Sequence, residues 1–341
     1  MSKETSTILK GVAILMMLWY HLFLGTDLHE LCQPLVYIHG KALVSYLANA
    51  AYPVSFFMIL SGYGLTYVYR QSRLNIKSQG KRLLKLYVHY WLILIIFVTI
   101  GSFIRPDIYP NDFLHILSNI TGVYCTYNGE TWFLLPYTLV SLTSVWVINY
   151  FYHLNNRKKI LLTTIGYFSL FLLFRHIGNN LSGVDKGLSA ILLQPVYYVM
   201  LSFYFILGII LYRLLEKVID FSPKNYRLFT QKSMAFYALL IGFVIVKSMF
   251  KITLADGLYA FAFIWCFIHL PLPTSVNRIL HELGRRSMVM WMTHTFFCVY
   301  LFPDFIYGFR YPVIIFLVLV VVCYVTSIPL MWLSKKVLMS F

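Results

Sequence analysis

The chain has 341 residues, of which 60% are hydrophobic, 18% aromatic and only 12% charged. A water-soluble domain carries about 25% charged residues, so a soluble globular fold is excluded. The formal net charge is +16, yet no solvated basic domain accompanies it, which argues against a nucleic-acid partner.

Apolar runs such as VIIFLVLVVVCYV lack the strict alternation of a membrane β-barrel. The composition therefore predicts an all-α, polytopic integral membrane protein whose solvent is the lipid bilayer. In chain order, about ten stretches are long enough to span it. They are Ile8 to Leu24, Tyr52 to Tyr69, Leu83 to Phe103, Trp132 to Leu154 and Ile160 to Phe174, then Ile191 to Tyr212, Met234 to Met249, Leu254 to Leu270, Ser287 to Phe302 and Tyr311 to Trp332. Leu35 to Ala48 is also apolar and is bracketed by Pro34 and Pro53, which suits an interfacial or re-entrant segment. The gaps at Asn155 to Lys159 and Lys247 to Thr253 are thin, so neighbouring spans could merge there. The first apolar segment lacks a small-residue cleavage site and reads as a mature span rather than a signal peptide. No linker or internal repeat divides the chain, so residues 1–341 are expected to form a single transmembrane domain.

Basic residues set the expected orientation. With the N-terminus in the cytoplasm, 21 of the 28 lysines and arginines fall on inner segments. They include Lys3, Lys10, the six from Arg70 to Lys85 and the five from Arg213 to Lys232. Seven fall outside: Lys41, Arg105, Arg175, Lys186, Lys247, Lys251 and Arg310. This asymmetry predicts an N-in, C-in chain with an even number of spans.

Chemistry-bearing residues are few. The first span, ILKGVAILMMLWYHLFL, holds Lys10 and His21 with no charge between them. Eleven residues are close to three helical turns, so both side chains share one face about 16 Å apart. An ionisable residue inside a bilayer is costly and is by default a functional candidate. His21 reads either as a general base or as a packed imidazole bonded to a neighbouring helix. Lys10 reads either as a snorkelling anchor or as a cation that holds an anionic donor. His294, in SMVMWMTHTFF, is the second histidine well inside a span, and lines an acceptor site or bonds a neighbouring helix.

The inner loop RQSRLNIKSQGKRLLK carries six basic residues and no acid. Helical spacing of three or four puts Arg82 and Lys85, or Lys81 and Lys85, on one face, where they would bind phosphates or anionic lipid heads. On the outer side, Glu130, Trp132, His29, His39, His115 and Asp112 are polar or aromatic candidates for acceptor contact. Ser61, Gly62 and Gly64 are small enough to permit close helix packing. Cys266, Cys298 and Cys323 fall within spans, whereas Cys32 and Cys125 fall in outer loops where an oxidising compartment would allow them to pair. No Cys/His spacing matches a zinc site, and no metal is expected.

Four motifs in order resemble one family. KGVAILMMLWYHLF resembles the opening helix of the acyltransferase-3 superfamily, in which Arg or Lys precedes His by eleven positions. FFMILSGYGLTY, at Phe56 to Tyr67, resembles its second-helix signature. GKRLLKLYVHYWL, at Gly80 to Leu92, resembles its basic motif, and GETWFLLPYTLV, at Gly129 to Val140, its WFL-type motif. The resemblance implies a membrane O-acyltransferase of the bacterial inner membrane. It would move an acyl group, usually acetyl, from cytoplasmic acyl-CoA to a hydroxyl of an envelope polysaccharide, exopolysaccharide or glycolipid. By that resemblance His21 is the catalytic base or acyl relay, Lys10 its basic partner, and Arg82 and Lys85 the contacts to the phosphates of the donor. Acetyl-CoA is then a co-substrate, with no bound cofactor. Two departures stand out. Lys85 replaces the second of the family's paired arginines and lacks the bidentate fork. A glutamate often found after the fourth-helix Trp is replaced here by Leu135, Pro136, Tyr137 and Thr138, with Glu130 ahead of Trp132 instead.

The residues leave other functions open. A glycan or lipid transporter would need charges deep in several helices around a midplane cavity. A glycan polymerase would favour a long outer catalytic loop.

Overall fold

The structure is a computed structural model that describes residues 1–25, 31–181, 186–219, 226–250 and 252–339. Of the residues used above, His29, Lys224 and Lys251 lie outside the described residues, as do the side chains of Lys186, Arg227 and Lys232.

Helices dominate. They are α1 (Lys3–Phe23), α2 (Leu43–Asn49), α3 (Val54–Arg70), α4 (Ile76–Ile104), α5 (Phe113–Thr121), α6 (Leu134–His153) and α7 (Arg157–Asn180), then α8 (Lys186–Ile219), α9 (Tyr226–Met249), α10 (Asp256–Phe267), α11 (Thr274–Thr295), α12 (Pro303–Tyr307) and α13 (Pro312–Met339). The β-structure among the described residues is one two-residue hairpin, Tyr37–Ile38 against Lys41–Ala42. Among the described residues, seven helices are long and apolar enough to cross a membrane, and Met234–Met249 and Asp256–Phe267 are shorter apolar ones. The protein is a polytopic, all-α membrane protein. Helices occupy all ten apolar stretches, and both thin gaps are real breaks between α6 and α7 and between α9 and α10.

Polar residues at the boundaries explain where these helices start and stop. Ser2 caps α1 by accepting from the Thr5 amide. Asn75 and Ser78 form a reciprocal capping box at the start of α4. Asp112 and Asn156 cap α5 and α7 through their side-chain oxygens. These contacts satisfy amides that have no partner within the helix. Gly122 ends α5 at a φ of 75°, a conformation that favours glycine.

Two segments differ from the sequence expectation. The ninth span was expected from Ser287, but α11 starts thirteen residues earlier, at Thr274. Its first half is polar yet well paired: Arg286 Nε donates to Glu282 Oε1 at 2.6 Å and the guanidinium lies 4.8 Å from the Tyr324 ring centroid. The apolar run from Leu35 is not one helix. It forms the hairpin with Leu35 to Ile38 exposed, followed by α2, which buries Ser45, Ala48 and Asn49.

The chain divides into two compact units. The first comprises Met1–Phe57 and Leu214–Trp332. Its centre is the packing of α1 on α11, where two glycines permit backbone contact. A Cβ on Gly11 would overlap the Leu280 carbonyl oxygen, and one on Gly284 would overlap that of Thr7. The second unit comprises Met58–Arg213 and Leu333–Phe341. There Gly62 and Gly208 play the same part between α3 and α8. Gly64 does not, because a Cβ there would meet nothing within 4 Å. All five cysteines are unbridged thiols, so the pairing open to Cys32 and Cys125 is not made.

Candidate active site

α1 runs unbroken from Lys3 to Phe23, so the eleven-residue spacing keeps Lys10 and His21 on one helical face, about 16 Å apart along the axis. Both side chains are half-buried. Gly11, next to Lys10, sits against the backbone of α11, and this close approach carries through to the other end of the pair of helices. There the rings of His21 and His294 lie with centroids 4.9 Å apart. The neighbouring Tyr20 packs edge-on against His21 at 5.1 Å and against Tyr52 at 5.7 Å.

His294 is fully buried. Its Nδ1 lies 2.6 Å from the Trp291 carbonyl oxygen. A carbonyl can only accept, so Nδ1 carries the proton and Nε2 presents a lone pair. That Nε2 is buried with no hydrogen-bond partner among the described residues. Immediately after Thr295 the chain makes a π-helical turn, Phe296–Tyr300. Such turns interrupt α-helices frequently at functional sites. A fixed-tautomer imidazole beside a half-buried one is an arrangement that can hold and pass a proton in a low-dielectric setting.

The second unit carries the other candidates. Arg82 is half-buried on α4 and is held by α6. It donates to the Tyr137 hydroxyl and, at 3.3 Å, to Ser141 Oγ, which in turn donates to the buried Gln79. Tyr137 also contacts Ser61 Oγ at 3.4 Å. Lys85 is exposed one turn further on. Arg70, which precedes Arg73 by the same three residues that separate Arg82 from Lys85, lies over the Tyr152 ring at 5.5 Å. Glu130 and Trp132 sit on a 3₁₀ turn, Gly129–Phe133, that leads into α6, and both are half-buried. Trp132 packs against Tyr197 at 4.6 Å, which uses part of its ring face.

Asp112 and His115 bond each other at 2.9 Å on the first turn of α5, where they serve the helix cap. His39 occupies the hairpin turn with a positive φ of 47°. The structure therefore gathers His21 and His294 into one unit, and organises Arg82 with Tyr137 within the other.

Three features of the structure are not legible in the sequence. Tyr137, in the stretch where the family resemblance leads one to expect a glutamate, anchors Arg82. His89 bridges Lys85 O at 2.6 Å and Ser334 Oγ at 2.7 Å, tying the last turns of α13 to α4. Lys247, on the sequence an outer cation, forms a buried 2.9 Å ion pair with Asp256. Among the described residues no group of three or more His, Cys, Asp or Glu is placed to hold a metal.

Comparison with known proteins agrees with the motifs. The family model described as an acyltransferase domain, of the acyltransferase-3 type, matches residues 6–333, nearly the whole chain. Neither curated proteins nor solved structures gave a match. With its four motifs, its polytopic helices and a match that runs from α1 to α13, the chain belongs to the acyltransferase-3 family and is a multi-pass membrane acyltransferase.

Proposed function

We propose that the protein transfers an acyl group, acetyl in the simplest case, from cytoplasmic acetyl-CoA to a sugar hydroxyl of an envelope polysaccharide, exopolysaccharide or glycolipid. The setting is the bacterial inner membrane, crossed about ten times with both termini inside, as the skew of basic residues supports. The single observation that carries the reading is the His21–His294 pair at 4.9 Å on two helices in backbone contact.

The chemistry follows from the residues. His21, neutral in its half-buried setting, accepts the proton of the acceptor hydroxyl as the oxygen attacks the thioester carbonyl. The tetrahedral intermediate collapses with cleavage of the C–S bond, and the departing thiolate takes the proton back from His21. Ester and free thiol are the products, and the histidine returns to its starting state. The alternative is attack by the His21 nitrogen on the thioester, forming an acyl–nitrogen bond as the thiolate leaves, followed by attack of the acceptor hydroxyl, which breaks that bond, frees the histidine and sends the hydroxyl proton to the thiolate. His294, its Nδ1–H committed to Trp291, offers Nε2 as an acceptor beside the His21 ring. Arg82, fixed by Tyr137 and Ser141, and the exposed Lys85 are the contacts for the donor's phosphates. Lys10 supplies a further cation on the face of His21. Glu130 and Trp132 are assigned to the acceptor side.

The test is incubation of purified protein with labelled acetyl-CoA and a panel of candidate glycans, following free thiol and labelled glycan. Acceptor-dependent release of thiol matched by label in the glycan supports the reading. No donor consumption with any acceptor would move the assignment to transport.

A further inference from the structure

The first unit holds a second polar cluster. Lys247, near the end of α9, and Asp256, the first residue of α10, form an ion pair at 2.9 Å with both side chains almost fully buried (6% and 5% exposed). Beside it, Asn49 Nδ2, at the end of α2, donates to the Ser248 carbonyl at 3.0 Å. One turn along α10, Tyr259 shares the face of Asp256. Its ring lies 5.9 Å from that of Phe56.

This cluster is polar but incompletely satisfied. Asn49 Oδ1, Ser248 Oγ and Tyr259 OH are all buried with no hydrogen-bond partner among the described residues. Asn49 is 6% exposed, Ser248 5% and Tyr259 8%. Buried polar atoms are normally paired, and leaving several unpaired in one place is costly. Such a set fits a ligand that brings its own donors and acceptors. The ion pair cancels its own charge, so the complement is neutral. Two hydroxyls and an amide oxygen can each exchange hydrogen bonds with alcohol groups.

The cluster is tied structurally to the histidine pair. Trp19, two residues before His21, donates from Nε1 to the Val44 carbonyl of α2 at 3.1 Å. Asn49 lies at the other end of the same short helix, about 8 Å of axis away. α2 thus joins the α1 histidine to the orphaned polar atoms.

We propose that Asn49, Ser248 and Tyr259, braced by the Lys247–Asp256 pair, form a subsite for the neutral, polyhydroxylated acceptor, holding one sugar ring while a neighbouring hydroxyl reaches His21. This deepens the acyltransferase reading and rests on it for the identity of the ligand as acceptor.

The experiment uses the full chain in lipid nanodiscs with two independent readouts. Scintillation-proximity binding of tritiated methyl glycosides, without acyl donor, reads the subsite alone. Acetyl-CoA binding and consumption read the transferase. Tyr259→Phe and Ser248→Ala remove single hydroxyls and keep the packing. Each is expected to weaken glycoside binding at least fivefold, while acetyl-CoA affinity and thermal melting stay at wild-type values. Unchanged glycoside affinity in both variants, or no saturable binding of any glycoside to wild type, would overturn the subsite. Glycoside binding that the variants weaken, together with no acetyl-CoA consumption, would keep the polyol subsite and overturn the transferase reading.

Discussion

His21 and His294 face each other with ring centroids 4.9 Å apart because the helices that carry them touch backbone to backbone. Gly11 and Gly284 make that contact possible, each lying against a carbonyl of the facing helix. The histidine pair and the glycine pair are therefore one structural device, with the packing at one end setting the register at the other.

Gly11→Ala and Gly284→Ala should each force α1 and α11 apart. The obstacle is rigid backbone rather than a movable side chain, so overpacking of about 1–3 kcal/mol is expected. The thermal midpoint should fall and turnover should drop further than stability alone explains. Gly64→Ala is the control, since nothing lies within 4 Å of its added methyl group, and it should be neutral or slightly stabilising. Thermal melts and acetyl transfer measured in parallel check this.

The two basic residues proposed for the donor should not contribute equally. Arg82 is half-buried and held by Tyr137 and Ser141, whereas Lys85 is exposed. Loss of a charge-assisted contact at Arg82→Ala should cost about 1.5–3 kcal/mol, roughly a ten- to hundredfold rise in the Kd for acetyl-CoA. Lys85→Ala should cost at most about 1 kcal/mol. Tyr137→Phe should fall between them by freeing the guanidinium. Binding titrations at two salt concentrations check the order, and an unchanged Kd in Arg82→Ala would remove Arg82 from the donor site.

These residues also show which parts of the molecule were legible in the sequence. α1 was readable because an uninterrupted apolar helix fixes the register of two ionisable residues eleven apart. Arg82 and Lys85 were readable as a pair, but their inequality was not, because it depends on Tyr137 across a helix–helix contact. The early start of α11 was hidden by polarity that Glu282, Arg286 and Tyr324 satisfy among themselves. Lys247 reads from the sequence as an outer cation, with nothing to name Asp256 as its partner. Nine residues apart around a turn, they share no helical or strand period, and only the tertiary fold pairs them.

A pH effect is expected outside the membrane spans. Asp112 accepts from the His115 amide and from the His115 ring, and these bonds hold its carboxyl below the ordinary aspartate value. A depressed folded pKa means the capping contribution is present above the unfolded value of about 3.9. It is lost as pH falls through the lower folded value. Hydrogen exchange of the first-turn amides of α5 should stay slow until pH drops below the ordinary aspartate range, then accelerate. Acceleration already complete above that range would contradict the cap.

The most direct measurement is acetyl transfer by His21→Ala in protein whose thermal melt and acetyl-CoA affinity match wild type. Loss of a general base predicts a fall in kcat of about 10²–10⁴-fold with donor binding unchanged. Turnover within a few-fold of wild type, in the same folded and donor-bound protein, would contradict the assignment of His21 as the group that moves the proton.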